Sequence, residues 1–222
     1  MNPALIDALL LASAGWVSVG QILVVLLLLS SDGGLRKASA YAAGMGAALL
    51  VIGEATLLIG SQVGTTESDG PGATAWVSLI LGALLLAFAV RTWRTPPTDD
   101  PPRPKVFEAL DGASATRLLG FGAFIGVVNV KNLAIYLTAV DAVRAGQMGL
   151  VPSAASVALV TFVFCLYLVG PISVYVVGGA RARPALAWLR GALERNYRAV
   201  LIGVMTVFGL AFLARGAHLI WG

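Results

Sequence analysis

The run Gly120-Phe121-Gly122-Ala123-Phe124-Ile125-Gly126-Val127-Val128-Asn129-Val130-Lys131-Asn132-Leu133 sets a lysine and two asparagines inside an apolar stretch. Counted from Arg117 at about 1.5 Å per residue, Lys131 lies about 20 Å deep, past the midplane of a hydrocarbon core of about 30 Å. A lysine at such depth costs on the order of 2.5–3.5 kcal/mol on insertion scales. The flanking amides add donors and acceptors that hydrocarbon cannot satisfy. Asn129, Lys131 and Asn132 are therefore expected to face a polar interior or a helix contact. The bland alternative is an ammonium that snorkels outward while the asparagines tie helices together.

Other residues could complete such a site. Glu54 is the only carboxylate well inside an apolar stretch. Counted from Ala38 it reaches about 24 Å, near the level of Lys131. Opposite charges at one depth lower each other's burial cost, so a Glu54–Lys131 pair, or two poles of one polar site, is expected. A structural clamp is the competing reading. The first apolar stretch supplies Ser13, Ser18 and Gln21, with Gly15 and Gly20 allowing close approach or local unwinding. Gly170-Pro171 predicts a break or kink in a later stretch. Interrupted helices beside polar side chains are where membrane carriers build substrate sites. The candidate substrate-binding set is Lys131, Asn129, Asn132, Glu54, Gln21 and Ser13.

The missing chemistry is as informative. His218 is the only histidine, so no histidine metal cluster is available, and Cys165, the only cysteine, reads as a packing residue. The chain holds no P-loop, no Gly-rich dinucleotide turn and no Ser/His/Asp set. Neither a cofactor, a metal nor an enzymatic activity is expected. Transport, if any, is passive, ion-coupled or driven by a partner.

The elements that must hold these residues follow from composition. Of 222 residues 58% are hydrophobic and 12% charged, and mean hydropathy is +0.87. A soluble domain carries about a quarter charged residues. Six stretches are long enough to span: about Ala4–Leu29, Ala38–Gly60, Ala73–Val90, Arg117–Val140, Leu150–Val177 and Ala199–Ile220. Ala12-Ser13-Ala14 imitates a cleavage site, but Met1-Asn2-Pro3 offers no basic segment before it, so the first stretch is read as a retained helix. The class is all-α and polytopic.

Twelve of the fifteen Lys and Arg fall in alternate connections, after the first, third and fifth spans. The positive-inside rule then places both termini outside a bacterial cytoplasmic membrane. A Pro-rich cytoplasmic linker, 95–116, separates a first three-helix half, 1–94, from a second, 117–222. Three spans per half give the halves opposite orientation, a 3+3 inverted repeat of the kind used for alternating access. Within 181–198, Leu186, Leu189 and Leu193 recur at helical spacing among arginines, predicting an amphipathic helix on the cytoplasmic face. Arg181, Arg183, Arg190 and Arg195 would meet lipid headgroups there. The net charge of +4 is explained by topology and anionic lipid, not by nucleic acid.

The segment ALLLASAGWVSVGQILVVLLLLSSDGGLRKASAYAAGM resembles the first half of the glycopeptidolipid- and sulfolipid-addressing (GAP/Sap) family of actinobacteria, within the lysine-exporter (LysE) superfamily. FGAFIGVVNVKNLAIYLTAV is similar to its second signature, Asn-Pro-Lys-Asn before an apolar run, with Asn129, Lys131 and Asn132 in the places of Asn, Lys and Asn. Val130 stands where the family has proline, and Ala14 follows Ser13 where Ser-Pro is usual. Without that proline the fourth span is expected to run on as one helix. The resemblance implies delivery of glycolipids to the cell surface, or export of small solutes.

Three functions follow from these readings. The first is a carrier or accessory factor moving a lipid-linked, amphiphilic molecule outward. The second is an exporter of amino acids or similar small solutes. The third is a non-transporting scaffold bound to a larger transporter or glycosyltransferase, and the ridges of small residues also admit a homodimer.

Overall fold

A computed structural model describes residues 2–16, 18–62, 73–95 and 112–221, and every regular element among them is helical. Residues 63–72 and most of the expected linker, 96–111, lie outside the described residues. Asn2 opens the first helix: its side-chain oxygen accepts from the Ala4 N–H at 3.0 Å, and Pro3 follows where a missing N–H is harmless. The chain then forms α1 (Pro3–Ser13), a 3-10 turn (Ala14–Trp16), α2 (Val19–Leu29), α3 (Gly34–Gln62) and α4 (Ala73–Arg94). It continues as α5 (Ala115–Val128), α6 (Val130–Ala145), α7 (Leu150–Phe164), α8 (Leu166–Gly178), a second 3-10 turn (Gly179–Arg181) and α9 (Ala182–Trp221).

Two helical stretches, Gly34–Ile59 of α3 and Arg198–His218 of α9, are long and apolar enough to cross a membrane. Three more apolar segments are pairs of half-helices. The α1 segment meets α2 at 64°, α5 meets α6 at 73°, and α7 meets α8 at 62°. Counted as broken spans, these raise the number to five.

The break between α5 and α6 corrects the expectation of a continuous fourth span. Asn129 leaves helical geometry at φ −78° and ψ 79°, and its side-chain oxygen accepts from the Asn132 N–H at 3.3 Å. That bond starts a new helix, so a capping asparagine does here what a proline would do. The break in the fifth segment is also displaced from its expected place. It falls at Cys165, while Pro171 sits inside α8. The Cys165 N–H bonds back to Thr161, and its carbonyl then accepts from Leu168 and Val169, so the helical ladder restarts before the proline is reached.

Contacts divide the chain into two units. The first comprises Met1–Gly64 and Pro102–Ala192. In it α3 packs against α5 with backbones nearly touching. A Cβ on Gly122 would run into the Tyr41 carbonyl, and one on Gly44 into the Leu119 carbonyl. Close approach of this kind is how small residues hold membrane helices together. α3 also contacts α2, α6, α7 and α8.

The second unit comprises Thr65–Pro101 and Leu193–Gly222. There Gly82 of α4 lies against the Gly209 carbonyl of α9. Arg198 donates to the carbonyls of Thr92 at 3.2 Å and Trp93 at 2.7 Å, satisfying acceptors that the end of α4 leaves open.

The expected amphipathic stretch over 181–198 is helical from Ala182 onward. Arg181 ends a 3-10 turn, and the rest belongs to the single 40-residue α9. The apolar spacing is present, with Leu186 buried and Trp188 exposed, but no proline or turn divides it from the last span.

Candidate functional site

Each of the three breaks frees polar side chains at the start of a new helix, and these starts lie together in the first unit. Ser18 precedes α2, and Gln21 is in its first turn. Asn132 is in the first turn of α6, and Tyr167 in the first turn of α8. Asn132 is fully buried, and Ser18, Gln21 and Tyr167 are buried with it. The Asn132 amide donates to Ser18 Oγ at 2.6 Å and to Gln21 Oε1 at 3.1 Å. Ser18 donates to Asn132 Oδ1 at 3.0 Å. The Tyr167 hydroxyl donates to Gln21 Oε1 and lies 3.5 Å from Met45 Sδ of α3. Gln21 Nε2 is buried with no hydrogen-bond partner.

Packing around the junction fixes it in place. Trp16 Nε1 donates to the Val163 carbonyl at 2.7 Å, fastening the first break to the third. A Cβ on Gly15 would enter the Phe164 ring, so the chain can turn there only with glycine. The Phe164 ring meets Tyr136 edge-on at 5.5 Å and Tyr167 at 6.2 Å. Tyr136 OH and Thr161 Oγ1 share a hydrogen bond of 2.7 Å.

The expected residues divide. Gln21, Asn132 and Asn129 belong to the junction, Asn129 through the cap it makes for Asn132. Lys131 precedes Asn132 in the first turn of α6 and is half-buried. Glu54 is half-buried on α3, and Arg144 pairs with Asp141 at 2.8 Å near the end of α6.

Ser13 stays outside the junction. Its hydroxyl turns back to the Leu10 carbonyl at 2.6 Å, and Ser18 takes the place expected of it. Arg181, Arg183 and Arg195 are exposed and Arg190 is half-buried. Tyr167, Met45 and the break at Cys165 were not singled out from the sequence, because a tyrosine or methionine in an apolar run carries no signal of its own.

Large apolar side chains cover the outside of the helices as well as the core. A few amides and hydroxyls are buried among apolar side chains, while large apolar residues such as Val51, Phe124, Val130 and Phe162 face outward. With spans that break at mid-length, this defines a helical membrane protein whose discontinuous helices enclose polar groups. The chain matches the family model described as Sap, sulfolipid-1-addressing protein, over residues 9–218, and it belongs to that family. No curated protein and no solved structure matches it.

Proposed function

We propose that the protein is a carrier or accessory factor that moves a lipid-linked or glycolipid-type molecule outward across the bacterial cytoplasmic membrane. The observation that carries this reading is the meeting of three broken helices on buried amides and hydroxyls. The family's description as a sulfolipid-addressing protein supports an amphiphilic cargo. In this reading Lys131 meets an anionic headgroup, Asn129, Asn132 and Gln21 supply hydrogen bonds, and Glu54 balances charge. Arg181, Arg183, Arg190 and Arg195 gather anionic lipid at the cytoplasmic surface. No covalent chemistry is assigned to the chain.

The topology proposed for this role is six spans in a 3+3 inverted repeat, with both termini outside. Up to five spans are counted when broken pairs are included, and in this proposal the 22-residue α4 is taken as the sixth. Twenty-two residues extend about 33 Å, enough for the hydrocarbon core.

The test is Lys131→Ala at normal expression, with extracted surface lipid quantified by mass spectrometry. Surface lipid is expected to fall while its precursor accumulates inside. Undiminished surface lipid overturns the proposal. Loss of amino-acid efflux with intact surface lipid would favour the small-solute exporter, which the same broken helices could serve.

A further inference from the structure

The three helices that start at the junction are held there unequally. α6 has buried residues all along its length, from Asn132 to Val143. α8 buries only Tyr167 and Leu168, both in its first turn. Outward valines such as Val174, Val176 and Val177 are ordinary in a bilayer. A half-helix packed on the bundle would nonetheless keep a buried face to its end, and α8 keeps none beyond Leu168. A Cβ on Gly170 would meet nothing within 4 Å, whereas one on Gly44 or Gly122 would run into the backbone of the neighbouring helix. Among the described residues, Tyr167 is the only one in α8 whose side chain hydrogen-bonds to another helix, through Gln21 of α2 and Met45 of α3.

Both ends of α8 are joints. At Cys165 the preceding half-helix stops and the axis turns by 62°. At the far end Gly179 takes φ 50° and ψ −129°, a conformation that side chains rarely adopt. Inside the helix, Pro171 has no N–H to give to the Tyr167 carbonyl, so one rung is missing from the turn that carries Tyr167. The junction itself is shut, since Ser18, Gln21, Asn132 and Tyr167 are all buried. Anything that reaches it from outside needs a part of the bundle to move. The part with the fewest buried residues, a joint at each end and one side chain bonded across is the natural mover.

We infer that α8 is a hinged cover over the polar junction: it turns on the joints at Cys165 and Gly179, draws the Tyr167 hydroxyl off Gln21, and opens the junction to molecules outside it. Tyr167 is the latch. The bond from its hydroxyl to Gln21 Oε1 holds the cover shut, while Asn132 and Ser18 stay tied to α2 whether the cover is open or shut. The motion stands on packing and backbone geometry alone; that it admits cargo rests on the transport reading.

The chain carries its own reporter, because Cys165 is its only cysteine, is buried and sits at the first joint. The full chain in uncharged detergent is treated with N-ethylmaleimide, and the labelling rate of Cys165 is read by intact mass. Tyr167→Phe removes the hydroxyl but keeps a ring to pack against Phe164. Its labelling is expected to run about three- to tenfold faster than that of the wild type, the ratio that one interhelical hydrogen bond supports. Tyr136→Phe removes a comparable bond to Thr161, between α6 and α7, and is expected to leave the rate unchanged. Equal rates for Tyr167→Phe and the wild type overturn the inference, and so does equal acceleration by Tyr136→Phe. If Tyr167→Phe does not fold, hydrogen exchange in the wild type decides. Amides of 169–178 are expected to exchange about tenfold faster than those of 132–143. Equal protection of the two stretches overturns the inference. Such a failure leaves surface-lipid delivery untouched, while failure of the Lys131→Ala lipid assay leaves the hinged cover untouched.

Discussion

Replacing Asn132 by leucine tests whether the junction holds the broken helices together. The two side chains are similar in size, so the change removes hydrogen bonds without opening a cavity. Three bonds are lost: two with Ser18 and one with Gln21. Interhelical hydrogen bonds in membrane proteins average about 0.6 kcal/mol in double-mutant cycles, so these three sum to about 2 kcal/mol. The Ser18 hydroxyl then loses its partner in a buried position, which raises the expected loss to about 3 kcal/mol. Gln21 Oε1 retains Tyr167, so no further charge or acceptor is stranded there. The measurement is reversible unfolding in mixed micelles for the wild type, Asn132→Leu, Ser18→Ala and the double variant. A coupling of about 1 kcal/mol between the two positions is expected. A loss below about 0.5 kcal/mol, or full additivity with Ser18→Ala, would refute the junction as a stabilising device.

Two further outcomes follow from the packing. Gly122→Ala should destabilise by about 1–3 kcal/mol, because its Cβ would enter the Tyr41 carbonyl, whereas Gly126→Ala, with its nearest contact at 3.4 Å, should be close to neutral. Equal effects in thermal melting would show that α5 does not approach α3 as described. Pro171→Ala should leave stability unchanged or higher, since the bend lies at Cys165 and an alanine would restore the N–H. A loss above about 1 kcal/mol in the same assay would show that the bend depends on the proline after all.

Much of this architecture can be read from residue order. The apolar runs locate the helices because hydrocarbon leaves an apolar side chain and a satisfied backbone as the only inexpensive choice. The amides of Asn129 and Asn132 and that of Gln21 announce a polar interior for the same reason. What the sequence hides is where a span breaks. Val130 and Ala14 suggest continuity because proline is the usual breaker, yet the helices end at Asn129 and at the 3-10 turn over Ala14–Trp16. Side-chain capping and a ring wedged at Gly15 achieve this, and both depend on neighbours distant in sequence. Depth read from residue count fixes height in the membrane for Glu54 and Lys131 but not the face of a helix. Tyr167 was overlooked because its meaning comes only from the acceptor it finds on Gln21.

Breaking a span and building the polar junction are the same event in this chain. A helix that stops in hydrocarbon exposes N–H groups that must be satisfied within the protein. Asn129 answers one of them directly, by capping α6. Ser18, Gln21, Asn132 and Tyr167 tie the three new helix starts to one another. At two of the breaks each start also abuts the C-terminal end of the half-helix before it, Asn129 and Cys165 capping both, so opposite dipole ends meet there.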